Sequence, residues 1–286
     1  MSKKKTWFYL FSAPVLIALF LVVLLPFFYG IFYSFTNWDG VSQSAFVGIS
    51  NYINALKDPT YLASLWFTIK FSVIAIVLIN VIGLGLAVLV TNKFKGANIL
   101  RTIFFMPNLI GGLILGFIWQ FIFVEAFSAF GKLTGIPGLG SWLATTNTGF
   151  WALVIVMVWQ YSGYIMVIYI SYLQGIDQSL LEAADLDGAS ATQKFWQIKF
   201  PLIMPGFTVS LFMTLSNCFK LYDQNLSLTA GGPYNSTQMV AMNIYNTAFS
   251  MNKMGFAQAK AVIFFVFVAI ISLTQVYLTS RKEIEA

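Results

Sequence analysis

Glu182, Asp185 and Asp187 place three carboxylates within six residues, next to Gly188, in a chain of 286 residues of which only 9% are charged. Carboxylates so spaced can meet basic side chains or the positive amino end of a helix on a partner. They are poorly equipped for catalysis. The chain has no histidine and a single cysteine, Cys218, so an imidazole base and an internal disulfide are both excluded. No Gly-x-x-x-x-Gly-Lys-Ser/Thr phosphate loop occurs, so any ATP would be bound by another chain. The chemistry on offer is contact. Ala183, Ala184 and Ala189 allow close approach, Phe195 and Ile198 offer an apolar anchor, and Gly188 lets the chain reverse tightly.

A second set of polar groups lies inside apolar stretches. Gln160, Tyr161 and Tyr164 stand together with Ser162 and Gly163, and Thr214, Asn217, Lys220, Tyr222 and Asp223 stand within or at the end of a later stretch. Charges at membrane depth are costly and face a cavity or a partner. Two readings of Lys220 and Asp223 follow: an interfacial pair snorkelling to the outer surface, or part of the wall of an upper solute path. Cys218 reads as a small buried residue.

The elements that carry these residues are membrane helices. The chain is 58% hydrophobic with a mean hydropathy of +0.79, whereas soluble domains carry roughly 25% charged residues. Six stretches reach the length of about 20 apolar residues that crosses a bilayer: 7–35, 62–90, 99–124, 149–173, 202–224 and 259–280. Their unalternating pattern argues for helices over a barrel. The first run, after Lys3-Lys4-Lys5, is too long for a signal h-region and reads as a retained span that Pro14 and Pro26 kink. The Gly112-x-x-x-Gly116 spacing reads as a helix-packing motif.

Cations orient the spans. With the amino terminus inside, cytoplasmic segments carry Lys3, Lys4, Lys5, Lys93, Lys95, Arg101, Lys194, Lys199, Arg281 and Lys282; external segments carry Lys57, Lys132 and Lys253. Both termini are therefore expected in the cytoplasm, and the net charge of +6 reports membrane topology instead of a nucleic-acid surface. Residues 174–200 then form a cytoplasmic helix–turn–helix, with capping boxes expected at Ser179-x-x-Glu182 and Ser190-x-x-Gln193 and a restart at Pro201 and Pro205.

The run Glu182-Ala183-Ala184, two residues, Asp187-Gly188-Ala189, five, Phe195, two, Ile198, two, Pro201, three, Pro205 resembles the EAA signature of type I ABC importer permeases. Tyr222-Asp223, then Leu228-Thr229-Ala230-Gly231-Gly232-Pro233, Ala248-Phe249 and Gly255-Phe256-Ala257 look like the sugar-importing branch, of the maltose and glycerol-3-phosphate first-permease type. The resemblance covers nearly the whole chain and implies an all-α membrane protein with six transmembrane helices and the coupling loop between spans four and five. It implies a first span and external loop over 1–60, an ABC type-1 permease domain over 61–280 with its EAA loop at 174–200, and a cytoplasmic tail over 281–286.

It also implies a multi-pass protein of the cell membrane without enzymatic activity or cofactor of its own. Its expected partners are a second, related permease, two ATPase subunits that bind ATP and magnesium, and an external solute-binding protein that delivers carbohydrate. In such permeases the spans flanking the EAA loop contact the substrate. Trp159 and Tyr164 stand where the family has a tryptophan and a tyrosine; Gln160 and Tyr161 share the segment but not the family identities. Amides that bind hydroxyls and rings that cover apolar faces suit a sugar. The alternatives are a related importer for a non-sugar solute such as a polyamine or phosphate, a secondary transporter or channel, for which Asp223 alone would supply a carboxylate within the spans, and a membrane enzyme.

Overall fold

A computed structural model describes residues 2–42, 44–91, 95–136, 140, 142–281 and 283, and of residues 2–7 and 9 the backbone alone. Lys93 and Lys282 lie outside the described residues, as do the side chains of Lys3, Lys4 and Lys5. The described chain is helical apart from one isolated bridge between Thr36 and Phe46. Among the described residues, five helices are long and apolar enough to span a membrane, and a bent pair, counted as one span, makes a sixth. The chain divides into two compact units: Met1–Leu62 with Asn243–Val266, and Ala63–Met242 with Phe267–Ala286.

In the first unit, α1 (Ser2–Leu19) runs through a widened turn, Phe20–Leu24, into α2 (Leu25–Ser34). Pro14 is absorbed within α1. Pro26 lacks an N–H and its ring would strike the carbonyl four residues back, and the widened turn lies where that clash would fall. A polar segment follows, with α3 (Ser50–Lys57) and the start of α4 (Pro59–Thr91). The helices that return to this unit meet it through small residues: a Cβ on Gly255 would stand 2.1 Å from the Thr36 carbonyl oxygen.

The second unit is built around α8 (Thr146–Gln174), whose buried face runs from Ala152 to Ile170. Against it pack α5 (Ala97–Phe105), α12 (Met204–Phe219) and the middle of α4. The third span departs from its expected bounds. It begins at Gly112, as α6 (Gly112–Phe121), and continues through Ile122–Ala126 into α7 (Phe127–Thr134). The stretch from 99 does not run straight through, because Pro107 and the pair Gly111–Gly112 end the helical path: Met106–Leu109 tighten to a 3-10 turn and Ile110 is extended. Arg101 donates to the Val90 carbonyl at 3.0 Å and so closes the end of α4.

Between α8 and α12 lie α9 (Gln178–Leu186), α10 (Ala191–Gln193) and α11 (Phe200–Leu202), the last two joined through a widened turn at Lys194–Lys199 ahead of Pro201. The helix bends by 68° at Ile203, and Pro205 sits in the first turn of α12. Beyond Ser227, the chain passes through α13 (Val240–Tyr245) to α14 (Met254–Ser280). A buried polar tie holds the core: Asn80 donates to Thr214 at 3.1 Å and accepts from the Tyr169 hydroxyl at 2.9 Å, joining α4, α12 and α8.

Candidate functional site

The residues expected to dock a partner form one exposed hairpin. Glu182, Ala183 and Ala184 lie on α9, with Ala184 buried and Glu182 and Ala183 exposed. Asp187 caps the helix, Gly188 turns left-handed at φ +76°, and Ala189 donates back to the Ala184 carbonyl at 2.9 Å while Gly188 donates to Asp185 at 3.1 Å. This paired closure is a Schellman motif, and it needs a residue without a Cβ at position 188. Asp177 caps the amino end of α9, accepting from the Ser179 N–H at 3.0 Å; the box expected at Ser179 and Glu182 is displaced because Asp177 stands two residues nearer the true helix start. That bond holds the Asp177 carboxyl below its ordinary value. The second expected box is present, with Ser190 and Gln193 exchanging bonds at 3.3 and 2.8 Å.

Electrostatics divides the three acids. Asp185 pairs with Lys194, which ties the two arms of the hairpin together. Glu182 and Asp187 remain on the exposed surface. The apolar anchor is also redistributed. Phe195 and Ile198 are half-buried, and Phe195 packs on Phe200 at 6.3 Å. The side chain that projects is Leu186, 90% exposed between two aspartates, and Trp196 is exposed in the second arm. Leu186 escaped the sequence reading; its signal was an apolar residue inside an acidic helix end.

The polar groups in the spans converge halfway along α8. Gln160 is the fifteenth of its 29 residues, about 21 Å along the axis from Thr146 at 1.5 Å per residue. Gln160 is buried, donates to the Ile110 carbonyl at 3.1 Å and accepts from Gln224 at 2.6 Å. Ile110 is the residue at which the third span breaks. Gln224 follows α12 by five residues, where the fifth span leaves its helix at Lys220 and resumes as a widened turn over Asn225–Thr229. Two broken spans thus meet at the middle of an unbroken one.

Lys220 and Asp223 are exposed where the fifth span leaves its helix, and Asp223 directly precedes Gln224 of the junction with Gln160. A Cβ on Gly112 would lie 3.2 Å from an Asp223 carboxylate oxygen, so Asp223 sits at the amino end of α6, where the helix dipole favours an anion. Gly116 carries the second half of the packing motif: a Cβ there would fall 1.8 Å from Ser227 Oγ. Tyr222, Tyr161 and Tyr164 are half-buried. Asn217 is half-buried and donates to the Met213 carbonyl at 3.0 Å, while Thr214 is buried within the Asn80 tie. Cys218 is fully buried. Asn225, with no exposed surface, donates to the Thr237 carbonyl at 2.8 Å and accepts from the Met239 N–H at 3.0 Å, bracing the loop that climbs to Ser236 against Thr146.

A groove of about 740 Å³ opens alongside, between α4, α5 and α8, lined by Leu78, Ile82, Ile110, Trp151, Ile155 and Trp159 among others. Its polar side chain, Ser162, spends its proton on the Val158 carbonyl at 2.6 Å. Such a wall suits an acyl chain or a helix and offers little to a hydroxylated solute.

Comparison with known proteins agrees with this architecture. The chain is 56% identical over 283 residues (99% of this chain, 97% of the relative) to the "Probable starch degradation products transport system permease protein AmyD" of Thermoanaerobacterium thermosulfurigenes. It is 34% identical (98% and 97%) to the "Multiple sugar-binding transport system permease protein MsmF" of Streptococcus mutans. In fold it is similar to a chain of a bacterial ABC transporter "involved in the import of the acidic polysaccharide alginate", with a TM-score of 0.85 and 17% identity over 98% of this chain and 96% of that one. Residues 79–284 match the family described as "Binding-protein-dependent transport system inner membrane component", and the chain belongs to that family of multi-pass membrane proteins.

Proposed function

We propose that this chain is one of two related permease subunits of an ATP-driven importer, and that its solute is a carbohydrate delivered by an external binding protein. The observation that carries the reading is the exposure of Lys220 and Asp223 where the fifth span leaves its helix, with Asp223 against Gly112 at the start of α6. An exposed charge there faces water or a partner, and broken helices at the midplane are where transporters place solute sites. Tyr161 and Tyr164 add ring faces from α8, and Tyr222 and Asn217 a ring face and an amide from the fifth span. The names of the relatives favour sugars and their oligomers.

The hairpin takes the role of contact with an ATPase subunit. Leu186 is its apolar knob and Glu182 and Asp187 its anionic rim; ATP and magnesium reside on the ATPases. Two such subunits closing on ATP would drive the hairpins as levers and exchange cytoplasmic for external access. Both termini lie in the cytoplasm in this reading. It is supported within the second unit by Thr208, near the cytoplasmic start of α12, donating to Glu283 at 2.6 Å. Residues 61–280 act as the permease domain.

The test is uptake by the complete importer in vesicles, with a panel of labelled oligosaccharides and a non-sugar control. Asp223→Asn and Tyr222→Ala should each lower uptake about tenfold or more, the size expected on losing a hydrogen bond to a charged or buried group, while the ATPases still co-purify. Unchanged uptake in both, or transport of the control alone, would refute the assignment.

A further inference from the structure

Gln160 and Gln224 are 4% and 5% exposed, and their amides form a short relay: Gln224 Nε2 to Gln160 Oε1 at 2.6 Å, then Gln160 Nε2 to the Ile110 carbonyl at 3.1 Å. Ile110 precedes Gly111–Gly112, where the third span is interrupted, and Gln224 follows the interruption of the fifth. A carbonyl freed by a helix break inside a bilayer has to be satisfied by a neighbour, and Gln160 does so for Ile110. The relay therefore fastens both interrupted spans to the one that is continuous. Beyond it, the outer part of the fifth span lies against α6 through glycine contacts, with Ser227 filling the notch above Gly116. Such a surface is smooth and without ion pairs among its described residues, so it can part once the amides let go.

We propose that the Gln224–Gln160–Ile110 relay is the latch of the outer half of the path, and that these two glutamines are positioning residues for the exchange of access. This rests on the importer reading. Closed, the relay satisfies the Ile110 carbonyl and the Gln160 amide oxygen. Opened, it leaves two amides and a carbonyl that water or a sugar hydroxyl can satisfy, which ties opening to the arrival of a polar solute. A glutamine that only braced the fold would, when lost, weaken assembly and lower activity. Loss of a latch instead lets the complex leave its resting state unprompted.

ATP serves as the probe, on the complete importer purified through a tag on this chain, without added sugar or binding protein. Gln160→Leu and Gln224→Leu should each raise basal hydrolysis about 3- to 10-fold, the change in a two-state equilibrium expected from one hydrogen bond. The double variant should rise no further than the larger single, because both break one relay. Equal or lower basal rates in both variants, in complexes that assemble normally, would overturn the latch. A second measurement covers variants that fail to assemble. With Cys218→Ser as background, Gln160→Cys and Gln224→Cys joined by a short cleavable crosslinker should depress hydrolysis, and cleavage should restore it. Hydrolysis unaffected by the link would overturn the latch as well. Absence of hydrolysis in the unaltered complex is a different failure: it would remove the importer reading, and the latch with it.

Discussion

Lys260 is 1% exposed, and its ammonium meets three acceptors: Asp58 at 2.8 Å, Asn243 at 2.9 Å and Thr247 at 2.9 Å, with the Phe256 ring 4.7 Å away. A buried ion pair adds little net stability, but removing one partner leaves a stranded charge at a cost of about 3–5 kcal/mol. Asp58→Ala should therefore lower the melting temperature more than Lys260→Met, and the double variant should recover part of the loss. Differential scanning of the detergent-purified chain reads all three. The pH dependence follows from Asp58. Burial raises its pKa, yet bonds from Lys260 and Thr60 outweigh burial and hold it below 3.8. A depressed carboxyl stabilises fully above its unfolded value and loses that stabilisation as pH falls through the folded one. Stability from this group should hold down to pH of about 4 and fall below it. Lys260 stands in the sequence as a lone cation at the start of an apolar run. The sequence could not show Asp58, because the pairing spans two hundred residues and no periodicity encodes it. Lys220 and Asp223 were legible as costly charges, but the approach of Asp223 to Gly112 was not, since it joins two spans far apart in sequence.

Single helices and their contacts decide the next level. A Cβ on Gly163 would stand 1.8 Å from the Phe104 carbonyl oxygen, so α8 touches the end of α5 backbone to backbone. Gly163→Ala should cost about 1–3 kcal/mol through overpacking and loosen α5, visible as a lower melting temperature and faster proteolysis. Gly188 is the opposite case: nothing lies within 4 Å of its Cβ position, but its φ is +76°. Gly188→Val should strain the hairpin by about 1–3 kcal/mol without lowering global stability, and show itself as ATP hydrolysis uncoupled from uptake. The hairpin was readable because caps and turns are local: Asp187-Gly188 and the Ser190–Gln193 box lie within a few residues. The third span was misplaced because hydropathy runs unbroken across Pro107 and Gly111–Gly112, and only backbone chemistry interrupts it. The role of Gly163 was not legible, because its contact partner, Phe104, lies on another helix.

For the molecule as a whole, six spans and the fold class followed from hydropathy and cation bias, since the bilayer imposes both. What faces lipid and what faces a partner did not. The first span, Leu10–Ser34, buries none of its most apolar window. Sidedness can be checked with an impermeant thiol reagent in a Cys218→Ser background. Val41→Cys and Tyr234→Cys, at positions 96% and 102% exposed, should react from outside, and Leu186→Cys only after the membrane is opened. Labelling of position 186 in sealed cells would invert the topology. The broken fifth span has a consequence for biosynthesis. Its helix has 16 residues, about 24 Å at 1.5 Å per residue, against a hydrocarbon core of about 30 Å. Lys220 and Asp223 follow at once, so a ribosome releasing this segment offers the insertion machinery a span too short and too charged to partition alone. Its insertion is therefore expected to wait on the surfaces of α6 and α8, made before it, against which the fifth span packs.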